Sequence, residues 1–284
     1  MSSSPINSAH FEFNELVFTY QLHQKLMQLH FAPNSAEEPK LRPLTPSDVK
    51  ELSEVEMGGL LYWIDKQEGY GELSDEEKGL LLQKYAVKKI SLDHFYSASK
   101  HPDRCEKREF VMNNYTFVPA DRTGFETLED DEMQIKTKRE IFSRTFNRFW
   151  SNIIDPFVSL KITDAEIVFL HVMLLWSPSN DANVSPATAK IAETRRTWAL
   201  ENLTKFYGIQ KRKDSEERLQ KMKDLVVEIE VVADMHIEDF VAVKALEIQK
   251  VENLECEELY YEGPESGDAE NIDPRAVSKK RRIE

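Results

Sequence analysis

Apolar positions recur at helical spacing along most of this chain, so the pattern predicts helices joined by short turns. Thr45, Pro46 and Asp48 supply an N-cap, a first-turn proline and an early carboxylate, which satisfy free amide donors and favour the helix dipole. A helix starts there. Val49, Leu52, Leu60, Trp63 and Ile64 then make one face apolar, and Glu56 falls on that same face. After the bend Gly69-Tyr70-Gly71-Glu72-Leu73, Ser74 caps a second helix that carries Asp75, Glu76 and Glu77 in its first turn. Its run Leu80, Leu81, Leu82, Tyr85, Ala86, Val87, Ile90, Leu92 and Phe95 is too broad for a surface helix, so burial on most sides is expected.

Elsewhere the same periodicity places a helix over 11–31, through Leu16, Tyr20, His23, Met27 and His30, followed by a proline- and charge-rich linker over 32–44. Two β-prone pieces, Phe110-Val111-Met112 and Tyr115-Thr116-Phe117-Val118, flank Asn113-Asn114 and predict a hairpin. Helices follow over about 132–154, 163–176, 185–207 and 214–250. Thr163 with Glu166 forms a capping box, and Ser185-Pro186 repeats the device of a cap followed by proline. In the last helix Leu219, Met222, Val226, Ile229, Ala233, His236, Phe240 and Val243 alternate by three and four, a packing seam expected to serve mainly the internal core. Residues 1–10 are expected to be disordered and 11–262 to form one domain. The tail 263–284, rich in Gly, Pro, Ser and acidic residues, lacks the apolar surface needed to offset ordering entropy.

Composition narrows the function. With 284 residues and 40% hydrophobic positions the chain can bury a sizeable core, and only 9 glycines favour helices over glycine-rich phosphate loops. A formal charge of −14 argues against general binding to a phosphate backbone. Cys105 and Cys256 are too few for paired zinc sites, so no metal site, no zinc DNA-binding domain and no direct DNA binding by this chain are expected. Neither a signal peptide nor a membrane-length apolar run is present, which predicts a soluble intracellular protein without a membrane partner. Gly69-x-Gly71 lacks the third glycine of a dinucleotide loop, and the 7 histidines form no catalytic or metal-binding string. An enzyme is not expected, and no cofactor is implied.

The stretch 45–99 resembles the signature of the nuclear hormone receptor ligand-binding domain. Trp63 matches the aromatic of the first helix end, Tyr70 and Leu73 the aromatic-x-x-Leu bend, Glu77 and Lys78 the acidic-amide pair, and Leu81 and Leu82 the paired leucines. Asp65 and Gln83 depart from two basic positions of that signature, with Lys66 and Lys84 one residue late. The divergence is similar to that of the receptor group expanded in nematodes. The resemblance implies an all-α layered helical bundle with one small β-hairpin, acting in transcription regulation and located in the nucleus.

It also implies a pocket for a lipophilic small molecule between the Val49 helix, the Leu80 helix and the long final helix. Val49, Leu52, Ser53 and Glu56 would form one wall, and Ala86, Val87, Ile90, His94 and Ser97 the other, with Glu56 and His94 as the polar groups. Ser97 stands where receptors for carboxylate lipids carry an arginine. A short closing helix with Glu258, Leu259 and Tyr260 would combine with Lys66 and Lys84 as a coregulator surface. Homo- or heterodimerisation is implied for the 214–250 helix, and an ion pair between Glu166 and Arg196 is expected to tie two helices. Lys279, Lys280, Arg281 and Arg282 suit nuclear import. The competing class is a helical protein-interaction scaffold with a filled core and no ligand.

Overall fold

The computed structural model describes residues 5–32 and 39–261, with side chains throughout those spans except at 5–11, 181 and 247–261. By its contacts the chain divides into two units, 1–241 and 242–284. The whole tail expected to be disordered, 263–284 with its basic cluster Lys279 to Arg282, lies outside the described residues, as do residues 1–4.

The larger unit contains α1 (Pro5–Phe31), β1 (Arg42–Pro43), α2 (Pro46–Asp65), α3 (Asp75–Ser99), α4 (Pro102–Glu106), β2 (Phe110–Val111) and β3 (Thr116–Val118). It continues with α5 (Glu132–Phe149), α6 (Asp155–Leu160), α7 (Asp164–Leu175), α8 (Pro186–Ile209) and the start of α9 (Ser215–Tyr261). Residues 165–175 are buried on every side of α7 apart from Met173, so α7 has to be central, and it packs on α1, α3 and α8. The predicted caps form: Thr163 exchanges hydrogen bonds with Glu166, Ser74 accepts from Glu77 N, and Ser185 accepts from Thr188 N.

The hairpin is present, with Phe110 opposite Val118 and Val111 opposite Phe117. A third strand joins it inside the expected linker. β1 runs parallel to β3, giving the order β1-β3-β2. Arg42 N donates to Tyr115 O (3.2 Å) and Leu44 N to Phe117 O (2.8 Å), while Pro43, which has no donor, is tolerated because the strand is an edge. The helix expected over 132–154 also differs. After Phe149 it widens into a π turn, Trp150–Ile154, before α6. Pro156 explains the change, since its ring clashes with a carbonyl one α-turn back and it donates no hydrogen bond.

Two expectations are corrected. Glu166 is not tied to α8 through Arg196. Arg218 of α9 bonds both its carboxylate oxygens, Tyr207 donates to it at 2.6 Å, and Arg196 donates to the Trp176 carbonyl at 2.7 Å. The segment expected as a separate closing helix, 254–261, is the end of α9. No glycine or proline occurs between Ser215 and Tyr261, so nothing in the sequence stops the helix there. Glu258, Leu259 and Tyr260 fall on this backbone, outside the described side chains.

Candidate ligand-binding cavity

A cavity of about 1090 Å³ opens inside the larger unit. Its construction begins at the first turn of α2. Asp48 caps its own helix by accepting from Thr45 N (2.8 Å), and it also receives a bidentate pair from Arg42 of β1 (2.7 and 2.6 Å). That hydrogen-bonded pair holds the Asp48 carboxyl well below the usual carboxylate range. One carboxylate therefore fixes the α2 start to the sheet edge. Beyond β3 the chain turns back at Gly124, whose φ of +84° suits glycine and where a Cβ would meet Val118 at 3.0 Å. Glu126 closes the turn by accepting from Thr123 N (2.7 Å) and Gly124 N (2.9 Å), and buried Lys138 of α5 donates to Phe125 O and Asp130.

Seven of the nine pocket residues expected from the sequence border this cavity: Val49, Leu52, Ser53 and Glu56 on α2, and Val87, Ile90 and His94 on α3. Ala86 and Ser97 do not. They lie about a quarter turn round α3 from the line Val87, Ile90, Ser91, His94 and Phe95, at 3.6 residues per turn. The opposite wall was foreseen only as the long final helix. It consists of Phe110, Val118, Phe125, Phe146, Phe149 and Trp150, with Val232, His236 and Phe240 from α9. Its rings pack edge to face or tilted, with centroids 5.4 Å apart for Phe110 and Phe149 and 4.6 Å for Phe125 and Phe240. The aromatic spacing 142, 146 and 149 on α5, continued by Trp150 in the π turn, was the available signal.

Glu56 and His94 meet in a hydrogen bond between α2 and α3, and Asn113 Nδ2 adds a contact to the same Glu56 oxygen at 3.2 Å. Glu56 is 4% exposed. Burial alone would lower the His94 pKa, but the adjacent Glu56 charge and hydrogen bond raise it, which favours the imidazolium. His236, among Phe125, Phe142 and Phe240, goes the other way: burial lowers it to about 4, so it stays neutral.

Behind α3 lies a second polar group that the sequence pattern did not reveal. Trp63 Nε1 donates to Tyr85 Oη (2.9 Å), which lies 2.9 Å from His171 Nδ1, while His171 Nε2 lies 3.1 Å from Asp93. These contacts fit one assignment, a neutral His171 that accepts from Tyr85 and donates to Asp93. Burial lowers the His171 pKa in agreement. Tyr20 also donates to Asp93 (2.9 Å), and Lys89 Nζ stands 2.8 Å from its other oxygen in an ion pair outside hydrogen-bond geometry. Burial would raise the Asp93 pKa, yet Lys89 and His171 hold it far below the carboxylate range. This network fastens α1, α2 and α7 to the helix that carries one cavity wall.

Among the described residues no cluster of histidine, cysteine and carboxylates is placed to hold a metal, and no helix is long and apolar enough to cross a membrane. Comparison with known proteins decides the family. The model of the ligand-binding domain of nuclear hormone receptor matches residues 34–245. The chain belongs to this receptor family. It is also 47% identical, over 290 aligned positions and 99% of its own length, to nuclear hormone receptor family member nhr-71 of Caenorhabditis elegans. It spans 50% of that relative's length. The receptor match contains both walls of the cavity, from Val49 to Phe240.

Proposed function

We propose that this receptor domain regulates transcription by taking an apolar small molecule into the cavity bounded by α2, α3, α5 and α9. The carrying observation is the cavity itself: about 1090 Å³ lined mainly by apolar and aromatic side chains, with one buried polar pair, Glu56 and His94, able to orient a ligand. A cavity of this size counts against the alternative of a scaffold with a filled core. Native mass spectrometry of the chain purified from cells tests the reading. A bound molecule of a few hundred daltons that leaves on delipidation is expected. A clean unliganded mass, together with failure of the delipidated protein to bind the neutral dye Nile red, would sink it.

Receptor-type output is part of the same proposal. Family membership supports nuclear action, dimerisation through 214–250 and coregulator binding at Lys66 and Lys84. The exposed Asp65 beside Lys66, 3.7 Å apart, weakens the positive end expected of a coregulator clamp.

A further inference from the structure

The helix α1 is apolar on two sides. Phe13, Leu16, Tyr20 and Met27 are buried against the rest of the domain. At 3.6 residues per turn, Phe18, Leu22, Leu26 and Leu29 form a second stripe on the nearly opposite side of the same helix, with exposures of 65%, 39%, 55% and 60%. Packing of the single chain requires only the first stripe. The second leaves roughly 400 Å² of apolar surface in water, within the range of about 300–600 Å² found for the largest patch on a soluble monomer, which is often a working surface.

The surroundings of the stripe narrow what can cover it. Between Phe18 and Leu29 no charged side chain falls within it; Glu15 and Lys25 flank it with opposite charges, and the other exposed positions beside it, Asn14, Gln21 and Gln28, are neutral. Because the chain carries a formal charge of −14, two copies repel in general, and a face without net charge is where they can approach. On α9, by contrast, the exposed apolar residues Val227, Ile237 and Val241 are interrupted by the exposed Asp234. The tail 263–284 offers only Ile272, Val277 and Ile283 as sizeable apolar side chains, too few to cover the stripe from within the same chain.

We infer that α1 carries a self-association surface: the stripe of one copy packs on the same stripe of a second copy about a two-fold axis, so that Leu22, in its middle, meets Leu22 of the second copy. The area fits. A standard interface takes about 800 Å² from each partner, of which slightly more than half, about 450 Å², is non-polar, close to what the four side chains offer. The neutral amides beside them supply a polar rim. This contact is separate from the dimerisation through 214–250 and does not depend on the cavity.

Sedimentation velocity of the full chain at concentrations up to about 100 μM tests this, and reversible association at micromolar concentration is expected. Leu22→Glu with Leu26→Glu should weaken it at least about 100-fold, since four carboxylates would then face one another across the contact. Ile237→Glu with Val241→Glu should leave the α1 contact in place. All four positions are exposed, so circular dichroism and melting temperature should stay those of the wild type. A cross-link needs no charged substitution: in a Cys256→Ser background, Leu22→Cys should give an oxidised dimer on a non-reducing gel, with or without the two α9 substitutions. A wild-type chain that stays monomeric at the highest concentration would overturn the proposal and assign the stripe to a different protein. Association that survives the α1 pair, or absence of the cross-linked dimer, would overturn it as well.

Discussion

At the scale of single residues, Trp63 shows how one side chain serves packing and polarity at once. Its ring is 1% exposed, stacks edge-on to Tyr20 at 5.9 Å, and its N–H begins the chain of hydrogen bonds to Tyr85, His171 and Asp93. Trp63→Ala should therefore cost about 3–5 kcal/mol by chemical denaturation, as a large-to-small core change. A loss below about 1 kcal/mol would contradict its burial. His236 gives a pH signature. Its pKa falls from 6.5 to about 4 on folding, so the folded chain binds fewer protons than the unfolded one between those values. Its contribution to stability is complete above pH 6.5 and is lost as pH falls towards 4. His23, lowered to about 4 mainly by burial, acts in the same direction. His94, with a raised pKa, opposes them, because its contribution is full below 6.5 and is lost as pH rises through the folded value. Melting temperature measured from pH 7.5 to 4.5 should fall, and His236→Phe should flatten that fall. An unchanged slope in the variant would exclude His236 as a source. The wall residues on α2 were legible because one helical phase places Val49, Leu52 and Glu56 together. Lys89 and Asp93 were not, since their burial depends on partners from α1 and α7 far along the chain.

At the scale of elements, local chemistry was readable and long-range pairing was not. Caps at Thr45, Ser74, Thr163 and Ser185 depend on residues within one turn, so their spacing carries the information. The partner of Glu166 lies 52 positions away on α9, and a family analogy pointed to the wrong basic residue. Breaking this buried pair from one side should cost about 3–5 kcal/mol for Arg218→Met, and Arg196→Met should cost clearly less. A double-mutant cycle with Glu166→Gln should show strong coupling to Arg218 only. Coupling to Arg196 of equal size would reverse the assignment. Helix approach offers another test. A Cβ on Gly59 would lie 2.2 Å from the buried His23 ring, so α1 and α2 pack as closely as they do only without a side chain there. Gly59→Ala should destabilise by about 1–3 kcal/mol as an overpacking change, and His23→Ala in the same chain should recover part of the loss. Additive losses in the double variant would mean that the two positions do not touch.

At the scale of the whole molecule, the sequence signature over 45–99 located one wall of the cavity, while the other wall depends on α5 and α9 closing over the sheet. Position along the chain gives no hint that Phe110, Phe149 and Phe240 share one space. The coregulator surface can be probed in the intact chain. Wild-type protein should bind a leucine-rich helical peptide weakly, because Asp65 opposes the negative end of the peptide's dipole. Asp65→Lys should tighten binding in fluorescence anisotropy. Identical affinities in the two proteins would show that this position takes no part in binding.

The π turn at Trp150–Ile154 carries a historical consequence. Such a turn holds one residue more than the α turn it replaces, so it has the signature of an insertion absorbed within a helix without displacing the elements beyond it. The extra residue sits where Trp150 and Ser151 border the cavity. Deleting Asn152 should restore an α-helical register and rotate those two side chains relative to Phe149, altering the space while leaving the core formed by α3 and α7 in place. Relatives of different length at this point would then differ in what fits inside them, and a single-codon change could move a receptor from one class of molecule to another.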